Sequence, residues 1–164
     1  MMNFKKIAVL FLSGVLAFSC TQQNKSAQAT DPESQKAEIF PKGTKIANDN
    51  FSGTAWLNML VANDTTQNTS IGNVTFEPGV RTNWHYHPGG QILLATSGKG
   101  RYQEEGTAVR ELQRGDVIKC AANIRHWHGA APDSEFIHIA IGTNTGKGAV
   151  VWLQPVTDEE YNRQ

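Results

Sequence analysis

Only two cysteines, Cys20 and Cys120, occur among 164 residues, too few for a disulfide-stapled scaffold, so stability has to come from packing. Neither sign of charge is in excess: fifteen Lys and Arg face fifteen Asp and Glu. That balance removes a basic field for nucleic acid and a strongly anionic surface, and electrostatics name no partner. Long apolar runs are missing as well. The longest, residues 7–18, has twelve residues, well short of the roughly 20 that a spanning helix needs. No window of a dozen residues carries a helical stripe of apolar side chains, which points away from a helical fold. What remains is an ordinary globular composition with 39% apolar residues, in a chain of 164 residues that has room for one domain with a real core and not comfortably for two.

The short apolar run has a context. Lys5 and Lys6 precede it and a polar stretch follows it, the layout of a secretory signal. Ala17-Phe18-Ser19-Cys20 resembles a bacterial lipobox, with a small residue directly before cysteine, although Ala17 stands where Leu is usual. Residues 1–19 are therefore read as a lipoprotein signal peptide and Cys20 as the lipidated first residue of the mature chain, with ordinary signal-peptidase cleavage as the alternative. The chain is then exported to the cell envelope or periplasm and meets the membrane only through its N-terminal lipid. Cys120 is left without an intrachain partner. Residues 20–45 are rich in Gln, Lys, Ser, Thr and Ala, a composition that cannot offset its ordering entropy, and read as the lipidated cysteine plus a flexible tether. The folded domain is expected over 46–156, followed by a polar tail, 157–164, that frays.

From Asn50 onward the pattern changes to short apolar or alternating runs. Strands are expected at 54–61, 70–76, 82–87, 91–96, 100–103, 108–112, 117–120, 125–128, 136–143 and 149–154. Glycine-bearing turns such as Pro88-Gly89-Gly90, Ser97-Gly98-Lys99-Gly100 and Arg114-Gly115-Asp116 separate them. Many short strands with such turns argue an all-β sandwich or barrel.

All five histidines fall between His85 and His138. Residues two apart on a strand share a face, so His85 and His87 project together while Trp84 and Tyr86 project oppositely. Gln91 follows across the Pro-Gly-Gly turn, and His126 must arrive from a distant strand. Three imidazoles and one amide oxygen can occupy one side of a metal and leave positions for a small molecule. His128 shares the face of His126 and serves either as a proton-transfer group or as a structural hydrogen-bonding residue. His138, between Ile137 and Ile139, has the same two readings. Trp84, Tyr86 and Trp127 read as packing residues and Cys120 as a buried apolar one. Asp116 serves its turn, and Arg81 and Arg125 pair with carboxylates or decorate the surface.

The spacing Gly79, five residues, His85-Tyr86-His87, three residues, Gln91, six residues, Gly98 resembles the first motif of the cupin superfamily, with Gln91 in the usual Glu position. Gly115 and His126 fall in register with the second motif, while Ala121, Asn123 and Ala130 replace its usual Pro, Gly and Asn. The resemblance implies a single-domain cupin, a double-stranded β-helix or jelly-roll barrel. The blocks 81–91 and 126–130 are similar to the small cupins associated with carboxymuconolactone decarboxylase and to the manganese-dependent cupin hydroxynitrile lyases. That narrower resemblance implies His85, His87, Gln91 and His126 as metal ligands. It also implies His138 and Thr82 as active-site residues, and a homodimer.

Gln91 leaves the full charge of a divalent ion in place and cannot take up a proton, so proton transfer falls to His128 or His138. Three functions follow. The preferred one is a metal-dependent enzyme acting by Lewis-acid catalysis on a small oxygenated organic substrate, as a lyase or related catalyst. The others are a cupin dioxygenase and a non-catalytic metal-containing binding protein. Manganese is the metal the resemblance implies, and the ligand types also suit Fe, Ni, Co, Cu or Zn.

Overall fold

A computed structural model describes residues 38–163 of the chain. The signal peptide, Cys20 and most of the tether lie outside the described residues. Among the described residues, ten strands, a 3-10 turn at Thr145–Lys147 and one short α-helix occur, the strands and α-helix in the order β1 Thr44–Lys45, β2 Ala55–Asp64, β3 Thr69–Phe76, β4 His85–Tyr86, β5 Gln91–Glu104, β6 Arg110–Gln113, β7 Val117–Cys120, β8 His126–Ala130, β9 Phe136–Thr143, β10 Val151–Trp152 and α1 Asp158–Asn162. All pairings are antiparallel. The strand order is β1-β2-β3-β9-β5-β8-β4-β10, with β6 and β7 also paired to β5. The sheet curls as the glycine-punctuated pattern of an all-β sandwich or barrel led us to expect, and in the jelly-roll manner that the cupin resemblance implied.

Strand β5 explains the curl. Its first half pairs with β7 and β9 from Gln91 to Gly98, and its second half pairs with β8 and β6 from Lys99 to Glu104. One continuous strand therefore belongs to both faces. The sequence led us to expect two strands broken at 97–100. The glycines there bend the chain instead of reversing it: the ladder shifts register between Ala95 and Ser97, and Gly98 has φ 70°. At Gly100 a Cβ would stand 2.6 Å from the Phe136 ring, so glycine admits that ring into the core.

Alternation along the strands fills the interior. Ala55, Val74, Phe76, Leu93, Ala95, Tyr102, Ile118 and Phe136 form one buried cluster. The structured part begins before Ile46, because Thr44 and Lys45 pair with Leu57 and Trp56, and Lys42 reaches Glu135 at 2.9 Å while lying 3.9 Å above the Trp56 ring.

The tail departs most from expectation. Read as a polar end that frays, it instead forms α1, closed by a capping box between Thr157 and Glu160. One aromatic makes the difference. Tyr161 is 4% exposed and clusters with Trp84, Trp127 and Val156 on the outside of the barrel, and its hydroxyl donates to Ala130 O at 2.7 Å. Arg81 and Arg101 lie 4.5 and 4.9 Å from its ring. Arg81 also donates to Val156 O and to Asp158. Tyr161→Ala is expected to lower unfolding free energy by about 3 kcal/mol, whereas Tyr161→Phe should cost only about 1 kcal/mol for the lost hydrogen bond. Urea unfolding of the two variants checks the ratio; equal losses would mean the ring contributes nothing.

Candidate metal centre

Local chemistry brings the histidines inward. His85 sits on β4 opposite His126 of β8, so the two rings share a face and lie 4.2 Å apart between centroids. The turn after β4 returns the chain to β5 at Gln91, and Gly90 makes it possible with φ 91°. Gln91 Oε1 then stands 3.1 Å from His126 Nε2. His87 lies 5.3 Å from the His85 ring and 5.8 Å from the His126 ring.

Two of these imidazoles are anchored by the same device. His85 Nδ1 lies 2.9 Å from Asn83 O and His126 Nδ1 lies 2.9 Å from Ile124 O. Only a protonated Nδ1 can bond a carbonyl, so each ring has its proton there and turns a bare Nε2 inward. Cys120 Sγ adds a contact 3.1 Å from His126 Nδ1. Thr82 Oγ1 accepts from the His128 backbone N–H at 3.2 Å and lies 3.5 Å from His85 Nδ1. Thr82 thus ties β8 to the segment entering β4.

His85, His126 and His128 form the tightest imidazole group, with ligand atoms all within 4.8 Å of one another. Sequence spacing had pointed to His87 as the third nitrogen, with His128 beside it as a proton-transfer group. The structure gathers all four together with His138, the other candidate for proton transfer, whose Nε2 lies 3.2 Å from His128 Nδ1. His138 is wedged between Phe76 and Phe136. Among the described residues, two buried imidazole nitrogens have no hydrogen-bond partner, His87 Nε2 and His138 Nδ1.

Burial governs the protonation states. It holds His85 and His128 well below the ordinary imidazole range, with neighbouring imidazoles adding to the effect. It lowers His126 also, and pushes His87 and His138 down to about 4. Neutral imidazole is the metal-binding form. A set of buried neutral nitrogens, one of them unsatisfied, and one amide oxygen fits a divalent transition metal: the described residues offer imidazole and amide donors and no carboxylate within the tight group.

Beside His87 an opening of about 280 Å³ is lined by Asn63, Ser70, Gly90, Gly142 and Thr143 among others. Its lining carries no charged side chain. The outward residues behave as alternation requires. Trp84 and Trp127 pack under α1, Arg125 pairs with Glu105 at the surface, and Asp116 accepts from the Gln113 N–H within its turn.

A curled antiparallel sheet of the jelly-roll kind with a buried imidazole cluster able to bind a metal defines a metal-site jelly roll. The chain belongs to the cupin family: residues 72–142 match the model of the cupin domain. The chain is 44% identical over 115 residues to an (R)-mandelonitrile lyase of Granulicella tundricola, spanning 70% of this chain and 88% of that protein. A crystal structure of a cupin-like protein from Thermotoga maritima is 51% identical, covers 76% of this chain and 94% of its own, and superposes with TM-score 0.73. The structure of a DMSP lyase from Ruegeria pomeroyi, at 18% identity, TM-score 0.55, and 74% and 62% coverage, shares the fold alone.

Several participants were not visible in the sequence. Cys120 was read as a plain apolar residue, yet it touches a candidate ligand, and Trp152 lies 4.8 Å from the His85 ring. The only available signal for either was a register argument: Cys120 pairs with Gln91 and Trp152 with His85.

Proposed function

We propose that this chain is a metal-dependent lyase that cleaves or forms a carbon–carbon bond at a small neutral oxygenated substrate of the cyanohydrin type. The observation that carries this reading is the meeting of His85, His126 and Gln91 Oε1 inside the barrel. Likeness to a mandelonitrile lyase over most of the domain supports it. In this proposal His85, His87, Gln91 and His126 hold the metal. His87 is preferred to His128 as the third nitrogen because its Nε2 is buried and unpartnered, whereas His128 is engaged by His138.

The bound metal would supply Lewis acidity toward the substrate oxygen. Gln91 leaves that charge undiminished, since an amide is neutral. His128 and His138 share a hydrogen bond, so one proton lies between Nδ1 and Nε2. The pair would take the hydroxyl proton as the carbon–carbon bond breaks and pass it to the departing cyanide, which leaves as HCN; synthesis would run the same transfers in reverse. Thr82 fixes the backbone of His128, and the uncharged opening beside His87 suits a neutral substrate.

Metal-loaded full-length protein mixed with mandelonitrile should release benzaldehyde, followed by its ultraviolet absorbance. Release is expected to fall at least about 100-fold in His138→Phe, within the range that general acid–base groups contribute, with metal content unchanged. Binding without turnover would make the protein a carrier, and oxygen consumption with the same substrate class would make it a dioxygenase. We further propose export with lipidation at Cys20 and assembly as a homodimer. Intact mass of the membrane-extracted chain and its sedimentation coefficient test these two points.

A further inference from the structure

We propose that Trp152, on the C-terminal strand β10, is a positioning residue for the candidate ligand His85; this rests on the metal reading above. Strand β4 is two residues long and meets β8 through the single pair His85 with His126. Its other edge is completed by β10, where Trp152 pairs with His85 and Val151 with Tyr86. Trp84 N–H to Gln154 O, and Leu153 N–H to Trp84 O, extend the ladder at 3.0 and 2.8 Å. The register puts the Trp152 side chain on the same face as His85.

The contact is direct. Four rings surround that of His85: His87, His126, His128 and Trp152. Among the described residues, Trp152 is therefore the one aromatic neighbour of His85 that cannot itself bind metal or carry a proton. Its centroid stands 4.8 Å away at 43°, and Phe51 supports it at 5.8 Å, with Phe76 a further 5.8 Å beyond. The Asn83 carbonyl fixes which nitrogen of His85 is bare, but one hydrogen bond does not by itself set the tilt of the ring. Trp152 blocks one direction of swing. The strand bearing it is held in turn by the tail, through Val156 beneath Trp84 and Trp127 and through Arg81 on Val156 O.

Supporting groups around a metal ligand typically change affinity about 10- to 100-fold when removed. The test titrates metal-free full-length protein with Co²⁺, reading both the dissociation constant and the visible d–d spectrum, with thermal melts to verify folding. Trp152→Leu is expected to weaken Co²⁺ binding about 10-fold or more and to shift the spectrum. Trp152→Phe keeps an aromatic plane against His85 and should restore most of the affinity. Val151→Ala alters the same strand on its outer face, at a side chain 36% exposed, and should leave both readouts at wild-type values. Wild-type affinity and spectrum in Trp152→Leu would overturn the proposal, as would equal weakening in Val151→Ala. If the wild-type chain itself takes up no Co²⁺, the metal reading falls first, and that outcome is distinct from the other two.

Discussion

His87→Ala should lose stoichiometric divalent metal, while Cys120→Ala keeps it. Both residues touch the cluster, so proximity alone does not separate them. His87 Nε2 is buried with no partner, a cost of about 1–3 kcal/mol in a folded protein unless something satisfies it. A metal ion is the partner that the neighbouring Nε2 atoms of His85 and His126 would share with it. Removing His87 therefore deletes a donor, and affinity should drop by more than the roughly 100-fold ceiling of supporting-group changes. Cys120 lies behind His126, 3.1 Å from Nδ1, on the side opposite Gln91. With sulfur removed, the Nδ1–H still has Ile124 O at 2.9 Å, so the inward Nε2 keeps its direction. Metal content after dialysis, measured by inductively coupled plasma emission, decides the matter. Retention in His87→Ala together with loss in His128→Ala would transfer the third position to His128, in line with the tightest nitrogen group.

How the site was legible depends on distance along the chain. His85, His87 and Gln91 lie within seven residues, and strand alternation plus one glycine turn suffices to bring them together. His126 could be read only as a histidine that had to arrive from a distant strand, with its register supplied by the motif resemblance, because the pairing of β4 with β8 is a long-range event that no local pattern records. The same holds for Trp152 and Cys120, whose neighbours are set by register across β10 and β7. Strand positions 117–120 and 136–143 emerged as expected from alternation bounded by turns. The interruption expected at 97–100 did not, since glycine permits a sharp turn and a bend alike, and which one forms is decided by Phe136 packing on Gly100. The tail was misjudged for a related reason: one tyrosine among polar residues carries no periodicity, and its burial depends on two arginines far away in sequence.

These buried imidazoles also tie folding to acidity. Evolution of a site from neutral nitrogens means the barrel closes over groups that in the unfolded chain take a proton near pH 6.5. His85, His126, His128 and His138 are 5% exposed or less. Their charged forms are disfavoured by burial. In a metal-free protein this asymmetry has no compensating ligand.

Metal-free protein should therefore lose stability steeply as pH falls from about 6.5 toward about 4. Above the unfolded value neither state binds a proton at these rings, so stability is flat with pH. Below it, the unfolded chain takes up protons that the folded chain refuses, and the equilibrium shifts toward unfolding. Each fully buried imidazole contributes a slope of up to about 1.4 kcal/mol per pH unit. For His138 the slope ends near about 4, where the folded form also protonates. Even two such groups would remove about 4 kcal/mol over 1.5 units, a large share of the roughly 5–15 kcal/mol that holds a domain together. Metal reverses the argument, since it binds the deprotonated rings of the folded state and should shift the acid transition to lower pH. Urea midpoints measured from pH 8 to pH 4.5, with and without Mn²⁺, test both halves. His138→Phe, which fills the slot between Phe76 and Phe136 with a ring that does not titrate, should shallow the metal-free slope by one imidazole's share. A metal-free midpoint that stays constant across that range would mean the histidines titrate alike in both states, contrary to their burial.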